Sequence, residues 1–109
     1  MSTNKEFLSG TLTTIILSLL KENGRMYGYE ICQKAKLLTN DAIQLTEGAI
    51  YPALHRLEQK KLIRSTKEKV NGRMRKYYDI NPISESVVNQ QIEGLLGFIQ
   101  QLQVLIKSS

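Results

Sequence analysis

Apolar positions keep a helical spacing in three early stretches of the chain and one late stretch, with a different pattern between them. From about Phe7 to Glu22, Leu8, Leu12, Ile15, Ile16, Leu19 and Leu20 recur at intervals of three and four, which predicts a helix. Asn23-Gly24 should end it, glycine supplying a left-handed residue after the last turn. From about Tyr27 to Leu38, Ile31, Ala35 and Leu38 take one face and Glu30, Gln33, Lys34 and Lys36 the other, a short amphipathic helix. Gly28 near its start points to close backbone packing. Thr39-Asn40-Asp41 reads as a polar turn. A third helix is expected from about Thr46 to Lys60, with Thr46 as N-cap and Glu47 favourable in the first turn. Ile50, Leu54 and Leu57 form its inner stripe, while Tyr51, His55 and Glu58 share another face flanked by Arg56 and Gln59. Pro52 is tolerable only near the start of such a helix.

The pattern then changes. Leu62–Glu68 and Arg73–Ile80 read as extended, and Asn71-Gly72 between them is a strong hairpin signal because both residues accept positive φ. Lys67, Lys69, Arg73 and Arg75 gather toward the hairpin's loop end. A last helix runs from about Ser84 to Lys107. In it Val88, Ile92, Leu95, Ile99, Leu102 and Ile106 step alternately by four and three, a heptad-type seam, with Leu96, Phe98 and Leu105 beside it. About 24 helical residues make ~36 Å, longer than a small domain needs. Three helices followed by a basic hairpin is the order of a winged helix-turn-helix. The expected fold is mainly α with a small β-hairpin: a winged helix-turn-helix over residues 1–81, then one long C-terminal dimerisation helix over 82–109. The second helix would brace the third, whose polar face suits a major groove, and the hairpin would be the wing.

Composition narrows the chemistry. The 109 residues suit one domain, and their apolar content excludes intrinsic disorder. One cysteine, Cys32, and one histidine, His55, exclude a disulfide scaffold and a multi-cysteine zinc site within one chain, so no metal and no cofactor is expected. The densest apolar run, Thr14–Leu20, is too short to span a bilayer, and residues 1–6 lack the layout of a signal peptide. A cytoplasmic protein with no membrane partner is the expectation. Glu30, Glu47 and Glu58 are dispersed, and no acid, base and nucleophile pair up, so an enzyme is not expected. Cys32 reads as a buried small hydrophobe, since no basic pair or resolving cysteine accompanies it.

Charge is the strongest functional signal. Of the net +5, residues 56–76 alone carry nine basic side chains against two acidic ones, net +7. Such a segment points to a polyanion, double-stranded DNA foremost. Arg73 and Arg75 alternate along a strand and share a face, an unfavourable arrangement without an anion. Tyr77 and Tyr78 point to opposite faces, one to the core and the other outward. Arg56 has two readings, a DNA contact or an ion pair with Glu58 or Asp41. An acidic protein partner for the wing, or a small-molecule binding module, are the alternatives to DNA.

Four stretches in register resemble the PadR family of bacterial transcriptional regulators: Ile16–Leu20, Met26–Ile31, Glu47–Glu58 and Gly72–Tyr78. The likeness covers residues from about 12 to 80. It implies a winged-helix repressor of the short subfamily, dimerising through its first and last helices, hence Leu8 and Leu12 together with the seam. It also favours a phosphate contact for Tyr51 over packing of its ring on the hairpin. The candidate DNA-binding residues are Thr46, Tyr51, His55, Arg56, Lys60, Lys67, Arg73, Arg75, Lys76 and Tyr77. Some members bind drug-like effectors between subunits, sandwiched by a tryptophan of the last helix. This chain has no tryptophan, and Leu95 and Phe98 would line that space as the candidate effector pocket. A second departure is Lys61-Leu62, where the family usually has a glycine before the first strand.

Overall fold

The structure is a computed structural model that describes residues 5–8 and 10–107. Its elements are α1 (Lys5–Leu8), α2 (Leu12–Asn23), β1 (Met26–Tyr27), α3 (Gly28–Leu38), α4 (Glu47–Gln59), β2 (Ile63–Val70), β3 (Arg73–Ile80), a 3-10 turn (Pro82–Ser84) and α5 (Glu85–Lys107). The expected first helix is broken in two. Gly10 takes φ +87°, and the Thr11 hydroxyl donates to the carbonyls of Phe7 and Leu8, closing a turn between α1 and α2. Gly24 ends α2 at φ +81° and ψ −163°, a region open essentially to glycine. The polar turn after α3 uses two left-handed residues, Asn40 and Asp41.

Thr46 caps α4 as expected, its side-chain oxygen accepting from the Ala49 N–H at 3.2 Å. Pro52 lies one turn deeper than a first-turn position, within the helix on its exposed side. The helix ends in a Schellman motif. The Leu62 N–H bonds the Leu57 carbonyl at 3.1 Å and the Lys61 N–H bonds that of Glu58 at 3.0 Å. Leu57 and Leu62 are both buried, which supplies the hydrophobic contact of that motif. Lys61 sits in the left-handed region at φ +63°, so the lysine occupies a conformation that suits glycine. A left-handed non-glycine residue costs about 1–2 kcal/mol, and glycine's extra unfolded-state entropy offsets part of the relief. Lys61→Gly is therefore expected to raise stability by about 0.5–1 kcal/mol in a denaturant titration. A destabilised variant would mean that Lys61 makes up the strain by other contacts.

Asn71 (φ +51°) and Gly72 (φ +79°) form the two-residue turn, with Val70 opposite Arg73 and Ile63 opposite Ile80. The sheet has a third strand that no sequence pattern announced. β1 pairs antiparallel with β3, Met26 opposite Tyr78 and Tyr27 opposite Tyr77, giving the order β1-β3-β2. This is a winged helix. Ile16, Leu17 and Leu20 of α2, Ile31 of α3, Ile50, Leu54 and Leu57 of α4, and Ile63 of β2 are fully buried in its core. Val88 of α5 joins them at 0% exposure, and Ile92 packs on the same core. Gln91 donates to the Thr14 hydroxyl at 2.9 Å, tying α5 to α2.

These facts correct the expected dimer seam. Val88 has no surface left for a second chain, and Ile92 is partly used within its own chain. Head packing thus continues past residue 81 into the first turns of α5. The physical reason is that the start of α5 lies against α2, where Val88 enters the core and Gln91 bonds Thr14. Leu95, Ile99, Leu102 and Ile106 keep exposed surface to different degrees. Leu8 and Leu12 are half-buried against the core.

Candidate nucleic-acid interface

The inner stripe of α4 is Ile50, Ala53, Leu54 and Leu57, and all four are buried. Anchoring that stripe turns Tyr51, His55, Arg56 and Lys60 outward to solvent. Arg56 makes no ion pair among the described residues, because Glu58 is engaged elsewhere and Asp41 is not its partner. Thr46 spends an oxygen lone pair on the cap, and its hydroxyl proton remains a donor.

Tyr51 packs on a neighbour that neither sequence reading named. Its ring lies over Gly28, and a Cβ at position 28 would come within 2.6 Å of the Tyr51 hydroxyl oxygen. The close packing expected at Gly28 is thus made by this tyrosine. Burial pushes its phenol above the ordinary value, with Glu47 one turn earlier adding to the effect. The residue as a whole is still 44% exposed.

The wing has two chemically different faces. Toward α4 lie Ile63, Ser65, Lys67 and Lys69 of β2, with Ile80, Tyr78, Lys76 and Met74 opposite them on β3. Tyr78 is the core member of the tyrosine pair, and burial raises its phenol. On the far face Arg64, Thr66, Glu68 and Val70 oppose Asp79, Tyr77, Arg75 and Arg73. There Arg75 lies over the Tyr27 ring at 4.1 Å, and Arg25 over the Tyr77 ring at 4.3 Å while pairing with Glu68. Tyr27 and Tyr77 meet edge to face at 5.5 Å.

This alters the expected charge conflict. Arg73 and Arg75 do share a face, but Arg75 is stacked on an aromatic ring and faces Glu68 across the ladder, which relieves it internally. Tyr77 is likewise occupied by Arg25 and Tyr27. The like-charge contact lies on the α4 side instead, where Lys67 sits directly opposite Lys76. Lys76 is partly answered by Glu58 at 3.4 Å. Lys67 and Arg73 have no ion-pair partner among the described residues. Arg25 and Tyr27 were missed in the sequence, because nothing local to Arg25-Met26-Tyr27 announces a strand that pairs with residues some fifty positions further along the chain.

Leu95 is half-buried and Phe98 exposed on α5. A cleft of about 200 Å3 lies between the end of α2, β3 and the start of α5, lined by Leu20, Ile80, Val88 and Asn89 among others. Neither Leu95 nor Phe98 lines it. Cys32 is half-buried at the edge of the core, and burial raises its thiol, which disfavours the reactive thiolate. Among the described residues no three His, Cys, Asp or Glu side chains group to hold a metal. No helix there is long and apolar enough to cross a membrane.

Comparison with known proteins matches this geometry. A profile of the transcriptional regulator PadR-like family matches residues 16–90. A transcriptional regulator from Clostridium thermocellum has a similar structure, with a TM-score of 0.77 and 31% identity over 94% of this chain and 96% of that one. A PadR-like transcriptional regulator from Bacillus cereus superposes with a TM-score of 0.75 and 27% identity, over 94% and 97% of the two chains. An uncharacterised protein of Lysinibacillus sphaericus is 35% identical over 89 residues, 81% of each chain. The profile spans most of the winged helix, including α4 and both wing strands. The chain belongs to the PadR-like family of DNA-binding transcriptional regulators.

Proposed function

We propose that this regulator is a homodimeric repressor that reads operator DNA with the exposed face of α4 and grips the backbone with its wing. The observation that carries this reading is the α4-side face of the wing, where Lys67 and Lys76 oppose each other beside the outward Arg56, His55 and Lys60. Two lysines on opposing strand positions are unfavourable neighbours, a cost that Glu58 meets in part and that a phosphate would relieve. Dimerisation is supported by the exposed remainder of the α5 stripe. It would set two reading helices about one DNA turn, ~34 Å, apart. Release would follow from a ligand that binds one dimer geometry better than the other, with Leu95 and Phe98 as the surfaces nearest the second chain. Double-stranded DNA, a second copy and a small effector are the proposed partners.

The test is a titration of the purified protein on DNA footprinted upstream of its own gene, at several salt concentrations. Lys67→Ala with Arg73→Ala removes two wing cations that hold nothing else in the protein. The slope of log K against log salt is expected to shrink by about 0.9 for each phosphate that is no longer neutralised. Arg56→Ala is expected to cost about 1–3 kcal/mol more on the footprinted site than on random duplex if it reads a base. An unchanged slope would remove the wing from the interface. Equal losses on both DNAs would reassign Arg56 to the backbone.

A further inference from the structure

Glu58 ties the reading helix to both strands of the wing through a single carboxylate. It stands one residue from the end of α4. One carboxylate oxygen accepts the Ser65 hydroxyl of β2 at 2.6 Å, and the other faces the Lys76 ammonium of β3 at 3.4 Å. Among the described residues, no other side-chain hydrogen bond or ion pair joins α4 to these strands. The Ser65 hydroxyl, with Lys76 and His55 adding to it, holds the Glu58 carboxyl below the ordinary carboxylate range, so it is ionised near neutral pH.

The position of this tie along the hairpin matters. The root is held by apolar packing, with Ile63 and Leu62 buried beside Leu57. Beyond Ser65 and Lys76, no side chain on the α4-side face of the wing is buried, while the far face is held to the head by Glu68 on Arg25 and Arg75 on the Tyr27 ring. The five steps from Ser65 to Val70 extend about 17 Å at ~3.4 Å each, so a rotation of about 10° at Glu58 carries the tip about 3 Å. A hydrogen bond to a phosphate tolerates only a few tenths of an ångström. The wing is a lever held on two faces, and Glu58 holds it on the face toward the reading helix.

We propose that Glu58 is a positioning residue that holds the wing at one angle to the reading helix, and so sets how strongly the protein prefers its operator over other DNA. This rests on the reading of α4 and the wing as the DNA interface. A carboxylate beside DNA is otherwise a liability, since it repels every phosphate equally. Its charge alone would lower affinity without regard to sequence. A positioning role affects one class of DNA more than the other, because base contacts by α4 and phosphate contacts by the wing are made together only in the correct mutual geometry.

The experiment uses a duplex selected by the wild-type protein from a random pool, and a scrambled duplex of the same composition. Glu58→Ala is expected to bind the scrambled duplex as well as or better than wild type, and to lose about tenfold in the ratio of selected to scrambled affinity. Glu58→Gln keeps an oxygen that accepts the Ser65 hydroxyl, and should retain that ratio within about threefold. Ser65→Ala removes the tie from the wing side, and should lose the ratio as Glu58→Ala does. It serves in its place if Glu58→Ala fails to fold. Hydrogen exchange in the free protein should quicken at the Ser65 and Lys76 segments in the two alanine variants and not in Glu58→Gln. Equal gains on both duplexes with an unchanged ratio, or a Glu58→Gln loss as large as that of Glu58→Ala, would reduce Glu58 to a charge and overturn the proposal. A wild-type protein that selects no duplex would overturn the DNA reading itself, and the positioning role with it. A discriminating wild type with a flat Glu58→Ala ratio overturns the positioning role alone.

Discussion

Ile99→Asp is expected to yield a monomer whose winged-helix head still melts as the wild-type head does. Past Ile92, the α5 helix has little of its own chain to pack on. Ile99 is 41% exposed and Leu102 36% in the isolated chain, while Ile106 is 72% exposed. Leu96 and Leu105 widen the patch. Monomers rarely carry an apolar stripe of this extent. Burying each such side chain contributes about 1.5–3 kcal/mol, so a few from each of two chains suffice for a stable dimer. An unpaired carboxylate at position 99 removes one of these contributions and adds its own desolvation cost. Affinity for the footprinted site should fall by about tenfold or more, because two linked half-site contacts act at high effective concentration and a lone head does not. Light scattering and DNA titration on one sample check both halves. A variant that stays dimeric would refute the stripe as the interface. A monomer with full affinity would retain the stripe and discard the paired half-sites.

Val88→Asp, about three turns earlier on the same stripe, is expected to fail in a different way. Val88 is wholly buried between α5 and the head. A carboxylate there is withdrawn from water among the apolar side chains of the core, which costs several kcal/mol out of a total of about 5–15 for a small domain. Each kcal/mol lowers the melting temperature by about 4–8 °C at this size, so the head should lose tens of degrees or not fold. Burial would raise the folded-state pKa of the new Asp above its unfolded value of about 3.9. The penalty is therefore full at neutral pH and relieved as pH falls through the raised pKa toward the unfolded one. Thermal melts followed by circular dichroism at about pH 7 and about pH 5 should show the gap from wild type narrowing in acid. A variant that melts like wild type and merely dissociates would return Val88 to the dimer interface.

Those two substitutions fall on one heptad-type stripe and separate what its period could not. A spacing of four and three says that a helix face will be covered and is silent on which chain covers it. The head's core claims Val88 and Ile92, and Ile99, Leu102 and Ile106 stay exposed. The basic window behaves similarly. Its position was legible as an excess of charge between residues 56 and 76. Its division into a face where Arg75 is stacked on Tyr27 and a face where Lys67 meets Lys76 was not legible. That division depends on β1, whose two residues are too few for any alternation to show.

By itself the sequence determined the features whose causes are local. The helices of the head follow from apolar spacing, and the start of α4 from the Thr46 hydroxyl reaching the Ala49 N–H. The hairpin and its register follow from Asn71-Gly72, since two adjacent positive φ values admit few other turns. The tertiary structure alone decided which partner each exposed or apolar group meets: Tyr51 over Gly28, Arg25 on Tyr77, Val88 in the head, and Glu58 between two strands. Each of these joins residues separated in the chain. Their contact energies depend on distances that only the closed core sets, and no residue's immediate neighbours encode them.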